Sequence, residues 1–275
     1  MTFDRTLTGP RVLVHLLLAA MAAGMLVPLF WLGCAAFKDQ DMFSVLFWSP
    51  HPTVRNLQKL LQLQPTFLRY LLNSFFLAAT VAMTQLFFSA LAGFALAKYR
   101  FRGRTLLMGI MLATMMIPGQ ILLAPLFELI CHLRLTDTYL GIIIPSAISV
   151  FGIFLFRQSM QQLPDELLEA ARIDGCSEFR IFWEVALPLT RPMIGAFCLI
   201  AFMGNWNSFM WPQIILHNAQ RFTLPVALAQ MRGAYGSEYG MLMAGTLLSI
   251  VPPMILFFIL QKEFISGLTA GAVKA

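Results

Sequence analysis

A chain of 275 residues with 59% hydrophobic and only 12% charged side chains could not hide its apolar surface in a soluble fold. The apolar residues come in blocks of about 20, the length a hydrocarbon core of roughly 30 Å demands of a helix, which predicts an all-α polytopic membrane protein. The net charge of +6 is that of short loops held on the positive side of a membrane; no basic stripe interleaved with exposed aromatics speaks for nucleic acid.

Six transmembrane helices are predicted in one transmembrane domain over residues 1–275, at 12–37, 70–97, 105–130, 140–157, 192–216 and 240–261. Arg5 and Arg11 precede the first, and "AAMAAG" (19–24) offers the small residues of a signal-peptide cleavage site. Its apolar run continues through Leu32, too far for a signal peptide, so an uncleaved anchor is expected. The third span contains Pro118 and Pro125, the fourth Pro145, the sixth Pro252-Pro253. Each proline frees a backbone carbonyl, so these spans should face neighbouring helices or water over part of their length.

Orientation follows from Lys and Arg. "KYRFRGR" (98–104) puts four cations in seven residues and resists translocation. With that loop inside, twelve of the nineteen cations are inside, as are both termini, the tail 262–275 and a charged segment at 158–191. The segments 38–69 and 217–239 are then outside, where either could form a rim for an external partner. Cys34 and Cys131 both fall near that outer face, where a disulfide could form. Neither the four cysteines (Cys34, Cys131, Cys176, Cys198) nor the four histidines cluster as metal or redox sites do.

The charged segment reads as helix, turn, helix. Pro164 suits a first helical turn, and Asp165 and Glu166 complement the positive end of the helix dipole. Gly175 can take the left-handed conformation that ends a helix, Ser177 is an N-cap for a second helix through Leu187, and Pro188 stops it. Ala170 and Ala171 leave a small surface that another protein can approach, while Glu169 and Asp174 offer it carboxylates. A solvated amphipathic loop is the bland alternative. A DNA-binding helix-turn-helix is excluded, because both ends enter the bilayer within a few residues.

"EAARIDG" (169–175) followed by "LP" (187–188) resembles the EAA loop of ABC importer permeases. "YRFRGR" (99–104), "LTDTYLG" (135–141), "FLFRQSMQQLPDELLEAARIDG" (154–175), "NWNSFMWP" (205–212) and the tail "GLTAGAVKA" (267–275) are similar to the maltose-type carbohydrate permeases among them. The resemblance implies that Glu169, Ala170, Ala171, Asp174 and Gly175 form a coupling helix that docks on an ATP-binding subunit, with Leu187 and Pro188 closing the element. Cys176 stands where the family often has Ala. The implied partners are a second permease in a heterodimer, two ATP-binding subunits, an extracytoplasmic solute-binding protein and a sugar, in a bacterial or archaeal cytoplasmic membrane. The chain has no phosphate-binding G-x-x-x-x-G-K-[ST] loop. It is therefore expected to bind no cofactor and be no enzyme, with ATP and Mg on the partner ATPase and transport by alternating access.

Polar residues inside spans are the pathway candidates, because burying them in lipid is costly. Asn205, Trp206 and Asn207 fall in the middle of the fifth span, and an aromatic face beside two amides suits a sugar. The alternative is that the asparagines bond helix to helix while Trp206 packs. Gln120, and the pair Thr84-Gln85, are weaker candidates; Glu128, near the outer end of span three, could gate or snorkel. Three other readings stay open: the same machinery carrying glycerol phosphate or another polar solute, an ion-coupled secondary carrier, and, more remotely, a membrane enzyme.

Overall fold

The computed structural model describes residues 9–38, 51–234 and 238–269. Arg5, residues 270–275 of the tail with Lys274, and residues 235–237 lie outside them, as do the predictions that concern both termini. Every regular element among the described residues is helical. Three helices are long and apolar enough to cross a membrane, and up to six spans result if each of three bent helix pairs counts as one.

The chain divides into two compact units. The first comprises residues 1–65 and 230–249. Its main element is α1 (Gly9–Ala36), 28 residues long and thus about 42 Å from end to end. No side chain from Val12 to Gly33 is buried, so α1 presents an apolar surface all round, as a lipid-facing anchor does. Its last turn is buried at Cys34, Ala35 and Ala36. There the buried Asn56 of α2 (Arg55–Leu63) donates from Nδ2 to the carbonyls of Ala36, at 3.1 Å, and Lys38, at 2.6 Å. These bonds satisfy acceptors that a helix end leaves open. Lys59 of α2 also pairs with Glu238 at 2.8 Å.

The second unit comprises residues 66–229 and 250–275. Its spine is α3 (Phe67–Lys98), which packs along α7 (Val150–Gln161) and α11 (Arg191–Trp206). Small residues make that approach possible. A Cβ at Gly93 would lie 2.6 Å from Cβ of Phe156 and 2.9 Å from the amide nitrogen of Arg157. The fully buried Phe156 and Phe197 meet edge to face at 5.4 Å beside this contact.

The spans are less continuous than expected. α4 (Arg104–Thr114) and α5 (Leu123–His132) are joined by a 3-10 turn (Gly119–Leu122) and bend by 89°. α4 ends at Thr114, the residue whose carbonyl the ring of Pro118 would meet in a continued helix. α6 (Leu140–Ser146) and α7 meet at 43°. The carbonyls opened by that bend are satisfied from α3, by Gln85 Nε2 on Ser146 at 2.7 Å and by Ser89 Oγ on Ser149 at 3.1 Å. Pro145 frees the carbonyl of Gly141, which accepts from the Trp211 indole at 3.2 Å. The expectation that a span proline needs a neighbouring helix thus holds here.

The fifth span departs furthest from its predicted 192–216. α11 stops at Trp206, and a short α12 (Met210–Ile215) follows a three-residue break. Pro212 gives the physical reason: in a continuous helix its ring would collide with the carbonyl of Ser208, whereas here it stands in the first turn of a new helix. Beyond the charged hairpin, the remaining helices are α13 (Leu224–Ala234) and α14 (Tyr239–Thr269).

Candidate functional site

The charged hairpin begins with α8 (Asp165–Ile173), one residue later than expected, with Pro164 in extended conformation at its N-cap. Asp165 and Glu166 occupy its first turn and Arg172 its last, all complementary to the helix dipole. Leu168 is the one buried side chain and anchors the helix. Gly175 ends it at φ +81°. The Gly175 N–H donates to the Arg172 carbonyl and the Cys176 N–H to the Ala171 carbonyl, both at 3.0 Å. This is the paired hydrogen bonding of a Schellman cap. Ser177 then caps α9 (Glu178–Ile181), its hydroxyl accepting from the Arg180 N–H.

Pro188 does not stop the second helix. After α9 the chain widens into a π-helical turn (Phe182–Ala186) and continues as α10 (Leu187–Leu189), ending at Thr190 with an 83° bend into α11. The wide turn lies where the Pro188 ring would otherwise press on the Glu184 carbonyl. Leu187 is half-buried and Pro188 exposed.

Glu169, Ala170, Asp174 and Gly175 are exposed along α8 and its turn, and Ala171 is partly exposed. Two charged pairs within the hairpin are spent internally: Arg172 with Glu178 and Arg180 with Glu184, each at 2.8 Å. Glu166, Glu169 and Asp174 enter no ion pair among the described residues, so their carboxylates remain open to a partner. Ile173, 86% exposed, adds an apolar knob beside them, and Phe179 and Trp183 stack at the surface.

What holds the hairpin in place lies 65 to 79 residues earlier, at the end of α3. Lys98, its side chain only 5% exposed, donates from Nζ to the Leu163 carbonyl and to Asp165, both at 2.6 Å. The Tyr99 hydroxyl donates to Glu178, which Arg172 clasps from the other side with Nε at 2.8 Å and a second nitrogen at 3.2 Å. Burial, then the hydrogen bond to Glu178, pushes the Tyr99 pKa up to about 12. The Arg172 and Tyr99 hydrogen bonds hold the Glu178 carboxyl below the usual carboxylate range, and Lys98 does the same for Asp165. Sequence reading assigned Lys98 only to membrane orientation; partners this distant in sequence leave no local periodic signal.

The pathway candidates do not act as one group. Asn205, in the last turn of α11, donates from Nδ2 to the Ala201 carbonyl at 2.7 Å and borders a small cavity of ≈ 20 Å³. Ser74, Ser146, Ser208 and Thr223 complete the polar part of its lining. The Thr223 hydroxyl is buried with no partner, and the space holds about one water. Trp206 turns elsewhere, buried and stacked on Phe202 at 5.6 Å. Asn207 caps the end of α11 and is exposed. Gln120 is exposed on its 3-10 turn, Glu128 is exposed on α5, and Thr84 bonds back to its own helix at the Val81 carbonyl. Gln85 bridges helices, as described above. All four cysteines are free.

One further junction went unread in the sequence. The Asp137 carboxylate accepts from the backbone N–H groups of His217 and Asn218, each at 3.0 Å, and pairs with Arg221 at 2.7 Å. These contacts hold its pKa below the usual range, the Asn218 N–H most of all.

A helical membrane protein of broken spans, with one rigidly anchored and outwardly exposed helical hairpin, is the architecture of a transport permease. Residues 85–268 match the family model described as the inner membrane component of binding-protein-dependent transport systems, and the chain belongs to that family, the permeases of ABC importers. Curated relatives agree. The chain is 41% identical over 208 residues to the arabinooligosaccharides transport system permease protein AraQ of Bacillus subtilis, covering 76% of this chain and 74% of the relative. It is 36% identical over 200 residues to the sn-glycerol-3-phosphate transport system permease protein UgpE of Yersinia pestis, covering 72% and 71%. It is also 36% identical over 202 residues to the lactose transport system permease protein LacG of Rhizobium radiobacter, covering 74% of each. In fold it matches a chain of a bacterial ABC transporter that imports the acidic polysaccharide alginate, with a TM-score of 0.83, 24% identity, and 96% and 99% of the two chains covered.

Proposed function

We propose that this permease carries a neutral saccharide across the cytoplasmic membrane and takes its energy from a separate ATP-binding subunit docked on the 165–189 hairpin. The observation that carries the reading is the exposed Glu169–Gly175 surface, fixed to the end of the longest described span by Lys98 and Tyr99. A helix so held can pass a push on to α3 instead of absorbing it. In this reading the permease pairs with a second permease and two ATPase subunits and receives its cargo from an extracytoplasmic binding protein. Both termini are cytoplasmic, and ATP and Mg stay on the ATPase. Closure of the ATPase pair then drives rigid-body motion between inward- and outward-open states.

A saccharide is favoured because two of the relatives are named for oligosaccharide or lactose transport. The glycerol-3-phosphate relative keeps a second cargo in view. Reconstitution with the partner permease, ATPase and binding protein in proteoliposomes separates them. ATP-dependent uptake of an arabino-oligosaccharide or lactose, abolished by Glu169→Lys, is expected. Preferential uptake of sn-glycerol-3-phosphate overturns the cargo, and unimpaired ATP-driven uptake by Glu169→Lys overturns the docking assignment.

A further inference from the structure

The loop between α3 and α4 carries more cation than its anchoring role uses. Lys98 is consumed by Asp165 and the Leu163 carbonyl, yet Arg100, Arg102 and Arg104 follow within six residues. They converge, with Phe101 and Thr105, on one shallow concavity open to the surroundings. Gly103, at φ +88°, turns the chain back so that residues on both sides of it line the same hollow. Arg104 spends one nitrogen on the Tyr99 carbonyl, at 3.1 Å. None of the three arginines forms an ion pair among the described residues, and the Asp165 carboxylate, whose charge reaches Arg100, is already held by Lys98.

Three uncompensated guanidiniums around one hollow demand a multivalent oxyanion, and forked N–H donors match phosphate oxygens in geometry as well as charge. The surroundings decide which phosphate. Phe101 is exposed between Arg100 and Arg102, and α4 leads away from the hollow with Leu106, Leu107 and Ile110 all exposed on one face. Their spacing of one, three and four residues makes a continuous apolar stripe along one side of the helix. A free phosphate has no use for that stripe, whereas acyl chains do.

We propose that the Arg100, Arg102 and Arg104 concavity binds the phosphate headgroup of an anionic phospholipid whose acyl chains lie along the Leu106, Leu107 and Ile110 face of α4. Because the same loop grips the hairpin through Lys98 and Tyr99, the lipid headgroup would neutralise the arginines beside that anchor. The site does not depend on the identity of the cargo.

The test is lipid binding to the purified transporter complex in detergent, counted by native mass spectrometry during titration with phosphatidylglycerol or phosphatidylcholine. Phosphatidylglycerol is expected to bind more tightly, and Arg100→Gln/Arg102→Gln/Arg104→Gln to lose on the order of fivefold for each arginine removed. The triple Lys variant should keep the preference for phosphatidylglycerol at a reduced affinity, because it retains the charges and the loop's side of the membrane but loses the forked donors. Leu106→Ala/Ile110→Ala should weaken both lipids together while leaving the headgroup preference intact. Equal binding of the two lipids by the unmodified complex overturns the proposal, as does displacement of phosphatidylglycerol by equimolar inorganic phosphate. A Gln variant that keeps phosphatidylglycerol but loses the ATP-binding subunit overturns it too, and assigns the arginines to a protein contact.

Discussion

Gly175 offers the sharpest test of the hairpin, because its replacement carries a conformational cost and no steric one. Its φ of +81° lies in the left-handed region, while a Cβ built there meets nothing within 4 Å. An L-residue in that region costs about 1–2 kcal/mol, less for Asn and more for a β-branched side chain. The cap must therefore weaken in the order Gly175→Asn, Gly175→Ala, Gly175→Val. For Ala, about 1–2 kcal/mol corresponds to roughly 5–30-fold more frequent opening. Hydrogen exchange reads this directly at the amides of residues 175 and 176, whose partners are the carbonyls of Arg172 and Ala171. ATPase stimulation by the loaded binding protein should fall in the same order if the hairpin is the docking element. Gly109→Ala, mid-helix in α4 with equal open space, supplies the opposite sign and should stabilise by about 0.5–1 kcal/mol. Exchange at 175 and 176 that ignores the Asn, Ala, Val order would refute the cap argument, and coupling that ignores it would refute the docking role.

Tyr99→Phe should loosen the hairpin by roughly 1 kcal/mol, a charge-assisted bond discounted for the solvent exposure of Glu178. The pH dependence has two limbs: the raised Tyr99 contributes fully below its ordinary value near 10 and is lost as pH rises through about 12, while the lowered Glu178 contributes above its ordinary value of 4.5 and is lost as acid carries pH through its folded value. Thermal melts across pH should show the alkaline limb in the parent and not in Tyr99→Phe. Lys98→Met should cost about 1–3 kcal/mol by leaving the Leu163 carbonyl unpaired, whereas Asp165→Asn, at a carboxylate 73% exposed, should cost far less; equal losses in urea titrations would place the anchor elsewhere. Gly93→Leu must push α3 from α7 at a 2.6 Å contact and should cost at least about 1–3 kcal/mol, visible as a lowered melting temperature or loss of monodisperse protein.

What the sequence made legible was local. Block length gave the six apolar regions, and Gly175 and Ser177 appeared at their cap positions because cap chemistry depends on one or two adjacent residues. Proline was read correctly where the question was which carbonyl it frees, as at Pro145, and incorrectly where the chain had another way round. Pro188 is passed by a π turn, and Pro212 breaks a span that hydrophobicity alone had drawn as continuous. That break follows Trp206, which is buried, and leaves Asn207 as the exposed cap of α11. The anchors at Lys98, Tyr99 and Asp137 join partners 65 to 84 residues apart and were invisible for that reason.

The anchor also bears on how a docking force would travel. A hairpin bound only by its own chain ends would pivot at the 83° bend before Arg191 and at the turn before Pro164. Lys98 and Tyr99 hold it instead at two points: the start of α8 through Asp165 and the start of α9 through Glu178. Two attachments remove the freedom to rotate that one would leave. The tilt of α8 is thereby tied to the end of α3, and α3 is locked to α7 where Gly93 meets Phe156. Each link is a close contact or a charge-assisted bond with little room for slack. If the hairpin is the docking element, cutting the tie at Lys98 should reduce coupling more than the same loss of stability elsewhere in the second unit, because it frees the hairpin and leaves its exposed surface intact.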